Sequence, residues 1–256
     1  MLPSNSSHII YLSFFGWLKH AIRCSKEYVL GCDDNAKKIV YPLNRKASIK
    51  DIIEALGIPH TEIGLIEVGS QKVRFSYIPK KQTHLKIYPH KIPIERDNYL
   101  FDEPILELRF LVDANVGKLA RFLRMLGYDC FFDWSIPDDE IAEIAFSEKR
   151  IVLSKDIQLL KRKKILWGKF IQANFPIDQL KEVVNFFGLD FNNRAFTRCL
   201  VCNKRLVPVD KDAIIHRLEP KTKKYYNEFS ICPVCKRIYW PGSHVEKMKD
   251  LLKKLV

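Results

Sequence analysis

Residues 105–156 read ILELRFLVDANVGKLARFLRMLGYDCFFDWSIPDDEIAEIAFSEKRIVLSKD, and their hydrophobic rhythm decides the architecture of the middle of the chain. Ile105 to Val112 is an apolar run of strand length that stops at Asp113. Leu119, Phe122, Leu123 and Leu126 then form one helical stripe, with Asn115 placed to cap its start and Gly127 to close it. Tyr128 to Phe132 is a short strand. A second helix opens at Asp138 and turns Ile141, Ile144 and Ala145 inward, and Arg150 to Ser154 is a third strand with Asp156 just past its end.

Downstream the alternation continues. Ile157, Leu159 and Leu160 start a helical turn, Lys169 to Ala173 is a strand, and Ile177 to Phe187 is a helix with Leu180, Val183, Val184 and Phe187 on its inner face. Strand and helix alternating at this spacing predict an α/β unit, a parallel sheet flanked by helices. Ligands of such sheets bind beyond the carboxyl ends of the strands, where Asp113 and Asp156 fall and where the Asp138 helix should begin.

Upstream, residues 1–98 read as an α+β unit. Strands are expected at Ile9 to Phe15, at Lys38 to Leu43 and near Leu65, Val73 and Leu85, with a helix capped by Ser48 and ended by Gly57 and Pro59. His60 and Glu62 follow that helix in a loop, where a turn or interaction role is expected. A stretch rich in proline and charge, Pro89 to Pro104, links this unit to the next. The expected division is 1–98, 104–198 and 199–256.

The 256 residues are 47% hydrophobic and carry a formal charge of +13. Residues 1–100 hold 15 basic and 9 acidic side chains, residues 101–198 hold 15 of each, and residues 199–256 hold 13 and 6. The excess avoids the middle, and a basic surface favours a phosphate polyanion as partner. Seven cysteines, with Cys24, Cys32 and Cys130 outside any close-spaced pair, do not suit a secreted disulfide framework, so a cytoplasmic location is expected. Ile9 to Leu18 is the one segment that resembles a targeting signal. It lacks a basic flank, is too short to span a bilayer and reads as a strand entering a short helix, so no membrane partner is expected.

Two groups of residues carry chemistry. Asp113, Asp138 and Asp156 come from separate segments; carboxylates gathered on one edge repel one another unless a cation sits among them, and oxygen donors favour Mg²⁺ or Mn²⁺. Each also has a structural reading as a helix cap or turn residue. Lys118, Arg121 and Arg124, on the polar face of the helix after Asp113, and Lys155 beside Asp156, are candidate phosphate contacts; a solvated face explains the helix residues equally well. The second group is Cys199-x-x-Cys202 and Cys232-x-x-Cys235, four thiolates that match the tetrahedral demand of structural zinc. Between these knuckles Arg217, Lys221, Lys223 and Lys224 adjoin Tyr225 and Tyr226, a mixture that can hold phosphates and stack on bases or can form a small core. A helix is expected at Val245 to Val256, with Val245, Met248, Leu251 and Leu252 along one side.

FLVDANVGKLARFLRMLGYD, DDEIAEIA, RIVLSKDIQLL, FTRCLVCNKRLVPV, CPVCKRIYWPGSH and Met248 together resemble the Mut-seven C-terminal RNase domain family, over roughly residues 106–248. ASIKDIIEALGIPHTEIGLIEV and VRFSY resemble the ubiquitin-like β-grasp domain that precedes it in bacterial members. The resemblance implies a PIN-like nuclease fold, a terminal zinc ribbon, and cleavage of RNA that leaves a 5′-phosphate and a 3′-hydroxyl; structured RNA such as tRNA falls within the implied substrates. It also implies Asp113, Asp138 and Asp156 as the Mg²⁺ or Mn²⁺ site, Cys199, Cys202, Cys232 and Cys235 as zinc ligands, and Lys118 and Arg121 as the family's basic positions. Ser154-Lys155 stands where the family has Thr-Arg, and Lys236 where it has Gly. The rival reading is a non-catalytic RNA- or ribosome-binding adaptor whose aspartates only cap helices. A sulfur-carrier role for the first unit would need a terminal Gly-Gly, and the chain holds no such pair; a docking role for it survives.

Overall fold

The computed structural model describes residues 9–190, 192 and 194–242. The helix expected over residues 245–256, and Met248 with it, lies outside the described residues.

Alternation of buried and exposed residues in IIYLSFF makes β1 (Ile9–Phe15) the centre of the first sheet: Ile10, Leu12 and Phe14 are buried. A short helix, α1 (Leu18–Ala21), follows as expected. The other strands are β2 (Val29–Cys32), β3 (Ala36–Pro42), β4 (Ile63–Val68), β5 (Gln71–Lys72) and β6 (His84–Pro89), in the order β2-β3-β1-β6-β4-β5. β1 and β6 run parallel and every other pair is antiparallel, the mixed arrangement of a β-grasp sheet. Helix α2 (Ile49–Ala55) lays Ile49, Ile52 and Ile53 on this sheet. Its Ser48 hydroxyl accepts from the Asp51 N–H while the Asp51 carboxylate accepts from the Ser48 N–H, a reciprocal cap that stabilises such a helix by about 1 kcal/mol.

The central sheet is all parallel, in the order β10-β9-β7-β8, from β7 (Arg109–Val112), β8 (Asp129–Phe131), β9 (Ile151–Ser154) and β10 (Gly168–Phe170). Helices α3 (Lys118–Met125), α4 (Asp138–Ser147) and α5 (Ile157–Leu160) are the connections, and α6 (Pro176–Phe187) follows the last strand. One face packs Phe110, Val112, Leu119, Leu123, Leu180, Val183 and Phe187 together, the other Leu111, Val152, Ile141, Leu159 and Leu160. Both faces are covered, which is why these strands read as continuous apolar runs. The strand expected from Ile105 begins only at Arg109: Ile105 is buried, but its N–H bonds to the Arg96 carbonyl outside the sheet.

The proline-rich stretch is packed. Ile94 enters the central core, Leu100 enters the first core, and Phe101 stacks on Trp167 with ring centroids 3.9 Å apart. His60 and Glu62, expected in a loop with a turn or interaction role, form a buried one-turn helix against β10. Glu62 accepts from the Phe170 N–H and from Lys169 Nζ at 3.1 Å, and Lys169 also reaches Glu182 at 3.2 Å. His60 joins Glu54 Oε1 at 2.7 Å to the Ile165 carbonyl at 2.9 Å. The first unit therefore closes the free edge of the central sheet.

A third sheet, β11 (Val207–Pro208), β12 (Ser230–Ile231) and β13 (Ile238–Tyr239), is antiparallel. The short helices α7 (Lys211–Ile214) and α8 (Pro220–Tyr225) lie between its first two strands. Ile214, Leu218 and Phe229 make its small core.

Candidate active site and cysteine centre

β7 and β9 are neighbours, and each carries its chain to the same edge of the sheet before turning into a helix. Asp113 follows β7 and is mostly buried. Ser154, the last residue of β9, is fully buried. The Ser154 hydroxyl donates to Asp113 Oδ2 at 2.5 Å and accepts from the Asp156 N–H at 2.8 Å, so one side chain ties the two acidic segments. Asn115 Nδ2 donates to the same Asp113 oxygen at 2.5 Å, and its Oδ1 accepts from the Lys155 N–H at 3.0 Å. Asn115 sits inside a one-turn helix, Ala114–Val116, and braces the site where a cap for α3 was expected; α3 has no side-chain cap.

Asp156 Oδ1 accepts from the Gln158 and Leu159 N–H groups and so caps α5. Asp138 is the first residue of α4, after Pro137, and caps nothing. Its Oδ2 lies 3.7 Å from the Arg162 guanidinium, which also bonds Asp139. The structure thus joins Asp113 to Asp156 through Ser154 and holds Asp138 through Arg162. Among the described residues the three carboxylates do not form a group with ligand atoms within 4.8 Å of one another. Within the same residues, Asp113 Oδ1 and Asp156 Oδ2 accept no hydrogen bond.

The four basic candidates divide. Lys118 and Arg121 are exposed on α3. Lys155 turns its Nζ to Asn174 Oδ1 at 2.7 Å, beside the acidic edge. Arg124 is a correction: it is buried, and its guanidinium donates to the carbonyls of Cys130, Leu200 and Val201, leaving it no role as an open phosphate contact. The helical wheel put it on the polar face with Lys118 and Arg121, but carbonyls of the first cysteine knuckle take up its guanidinium at the end of the helix. Sequence reasoning also passed over Trp134 and Phe175, 80% and 73% exposed. They lie beyond β8 and β10, the outer strands, and so flank the edge that carries Asp113 and Asp156. Two large exposed aromatics at the expected ligand edge were the available signal.

The cysteines converge as the spacing predicts. Cys199, Cys202, Cys232 and Cys235 place their sulfurs within 4.8 Å of one another, and Cys199 and Cys232 are buried. Both knuckles fold alike: the N–H groups of Asn203 and Lys236 bond back to the carbonyls of Cys199 and Cys232 at 3.0 Å. Asn203 and Lys236 both adopt a positive φ, 62° and 59°, the conformation glycine favours, which accounts for Gly being the family's residue at Lys236. Burial pushes the Cys199 thiol up, but hydrogen bonds from the Cys202 N–H and the Tyr239 hydroxyl outweigh it and hold the thiol below its ordinary value, which suits a thiolate ligand. Four sulfurs with no fifth donor among the described residues fit a closed structural zinc site.

A family model described as the Mut7-C RNAse domain matches residues 108–252, and one described as Mut7-C ubiquitin matches residues 9–95. Neither the curated proteins nor the solved structures yield a match. Among the described residues no helix is long and apolar enough to cross a membrane.

Proposed function

The chain belongs to the Mut7-C RNAse domain family, with a Mut7-C ubiquitin domain ahead of the nuclease part, and from that premise we propose that it is a divalent-metal-dependent ribonuclease. The supporting observation is the pair Asp113 and Asp156, set at the carboxyl edge of adjacent parallel strands and linked by one buried hydroxyl. The donors there are oxygens, which fit a hard Mg²⁺ or Mn²⁺ ion, and Asp113 Oδ1 and Asp156 Oδ2, which accept no hydrogen bond among the described residues, can hold it. Asp138 is the third proposed ligand. Such an ion, when bound, neutralises charge developing on a phosphodiester and lowers the pKa of an attacking water.

The chain's own residues do the rest. Ser154 and Asn115 fix the Asp113 carboxylate in one orientation. Lys118, Arg121 and Lys155 hold phosphates next to the cleaved bond, and Trp134 and Phe175 stack on unpaired bases to either side. The zinc ribbon keeps α3 in place through Arg124. We assign residues 1–98 to the β-grasp unit, 104–198 to the nuclease and 199–256 to the ribbon with its tail.

The test is Asp113→Asn. RNA cleavage in Mg²⁺ or Mn²⁺ falls by at least about a hundredfold, as removal of a metal-held transition-state contact requires, while RNA affinity is retained. Parental cleavage by purified Asp113→Asn ends this reading. The capping bonds of Asp156 and the ion pair of Asp138 favour a second one, a non-catalytic RNA- or ribosome-binding adaptor. It predicts no response to added Mg²⁺ and binding that weakens steeply with salt.

A further inference from the structure

Five arginines line one groove of about 940 Å³, on the side of the central sheet opposite Asp113. Its floor is the amino-terminal edge, where β7 starts at Arg109 and β8 at Asp129; its far wall runs from Arg194 to Arg205, the approach to the first cysteine knuckle and the knuckle itself. Arg109 and Asp113 stand four residues apart on one extended strand, about 13 Å.

Two of the five guanidinium groups are committed. Arg109 pairs with Glu107 at 2.7 Å, and Arg198 donates to the Gly127 and Asn203 carbonyls at 3.1 and 2.7 Å while lying 3.8 Å from Asp129. Arg96, Arg194 and Arg205 are exposed, and no carboxylate among the described residues lies within 4.0 Å of them. Arg194 rests over the Tyr128 ring, 4.7 Å from its centre, and the Tyr128 hydroxyl is anchored on the Asp190 carbonyl at 2.8 Å. That stack presents the guanidinium at a fixed place.

Three carboxylates line the same groove: Glu107 serves Arg109, Asp129 serves both Arg150 and Arg198, and Asp190, whose Oδ1 accepts from the Asn192 N–H at 3.0 Å, pairs with no guanidinium among the described residues, so five arginines face three carboxylates. Burial first, then repulsion from Arg205, Arg150 and Arg194, lowers the pKa of Arg198 against the pull of Asp129. The concavity therefore carries positive charge that the protein itself does not cancel. Like charges held together raise the energy of the fold until a counter-charge enters.

We propose that this groove binds the phosphodiester backbone of an RNA strand, as an anchoring site separate from the carboxylate edge. The volume exceeds what one phosphate fills, and arginines stand on both walls, so successive phosphates find partners on either side. Planar guanidinium groups suit that task through paired N–H donors. The choice of RNA rests on the ribonuclease reading; the charge and shape of the groove do not.

The test is the triple variant Arg96→Ala/Arg194→Ala/Arg205→Ala of the full chain, binding fluorescently labelled single-stranded RNA with Mg²⁺ and Mn²⁺ omitted, so that no cleavage is needed. Affinity near 0.15 M salt drops roughly tenfold to a hundredfold, and the slope of log K against log salt becomes shallower by about 2, as three lost phosphate contacts require. A charge-matched control, Lys46→Ala/Lys80→Ala/Lys81→Ala on the first unit, changes the slope by less than half as much. Zinc content and melting temperature report that the triple variant is folded. Parental affinity and slope in the arginine variant overturn the proposal, as does an equal loss in the lysine control. Inorganic phosphate or adenosine monophosphate displacing RNA at equal phosphate concentration overturns it too, by showing a small-anion pocket. Failure here leaves Asp113→Asn as the separate test of cleavage.

Discussion

Ser154 carries no charge, yet its hydroxyl sets how the two neighbouring acidic segments meet. It is fully buried, donates to Asp113 and accepts from the Asp156 N–H. Ser154→Ala strands that N–H and leaves Asn115 as the one described donor to Asp113 Oδ2, at a cost of about 1–3 kcal/mol. The expected result is a matching fall in urea midpoint and a drop in kcat with RNA affinity kept; an unchanged kcat would show that the link does not position Asp113. His90 illustrates a buried group that does no chemistry. It lies among Phe101, Trp167 and Phe186, and its Nε2–H donates to the Thr61 carbonyl at 3.1 Å. Burial pushes it down from 6.5 to about 4, against the Thr61 bond and with help from Lys169. The fold keeps the neutral ring, so the unfolded chain takes up the proton first as pH falls through 6.5. Stability is therefore lost between about pH 6.5 and pH 4 and is fully present above that window, and a fall of this size equates to about 3 kcal/mol. His90→Gln should narrow the loss between pH 7 and pH 4.5 by about 2 kcal/mol, read from urea midpoints at the two pH values.

At the scale of elements, local pattern was informative wherever an element's own residues decide its shape. β1 runs from Ile9 to Phe15 as its alternation predicts, and α2 begins at Ser48 because the cap is written in adjacent residues. β3 is Ala36–Pro42 against an expected Lys38 to Leu43, a difference of one or two residues at each end. What stayed hidden depends on partners distant in the chain. Arg124 lay on a polar helix face by periodicity, but the carbonyls that claim it belong to residues 200 and 201. Ser154 was read as a substitute for a family threonine, and nothing local shows that its hydroxyl meets Asp113 across two strands. Glu62 and Lys169 are 107 positions apart. Burial raises the pKa of Glu62, and Lys169 together with the Phe170 N–H opposes that rise. Lys169→Met leaves Glu62 buried without its counter-ion and should cost about 3–5 kcal/mol, whereas Glu62→Gln with Lys169→Met should recover most of it. A double-mutant cycle by urea unfolding checks this; additive losses would show that the pair is not coupled.

For the whole molecule, the sequence foretold an α+β unit, a parallel sheet flanked by helices and a cysteine ribbon in order, but not how they lean on one another. The charge map gains meaning from that packing: the neutral middle of the sequence holds the acidic edge, while the arginine groove gathers residues from the linker, the sheet and the ribbon. Among the described residues the ribbon buries three apolar side chains in its own core, so it should depend on zinc held by the four cysteines, and Arg124 ties it to α3. Stripping zinc with a chelator should make four further thiols reactive toward a thiol reagent and abolish cleavage even after Mg²⁺ or Mn²⁺ is restored. Re-addition of zinc should reverse both; cleavage surviving with those thiols exposed would separate the ribbon from the reaction. The closure of β10 by the turn at His60–Glu62 bears on any attempt to divide the chain. A fragment starting near residue 104 would leave the outermost strand bare, with an unpaired amide at Phe170 and a solvent-facing plane at Trp167. Such a ribbon end invites other chains to add on, so the shortened chain should self-associate in proportion to its concentration, with the leading hundred residues serving, on that outcome, as a built-in guard against polymerisation.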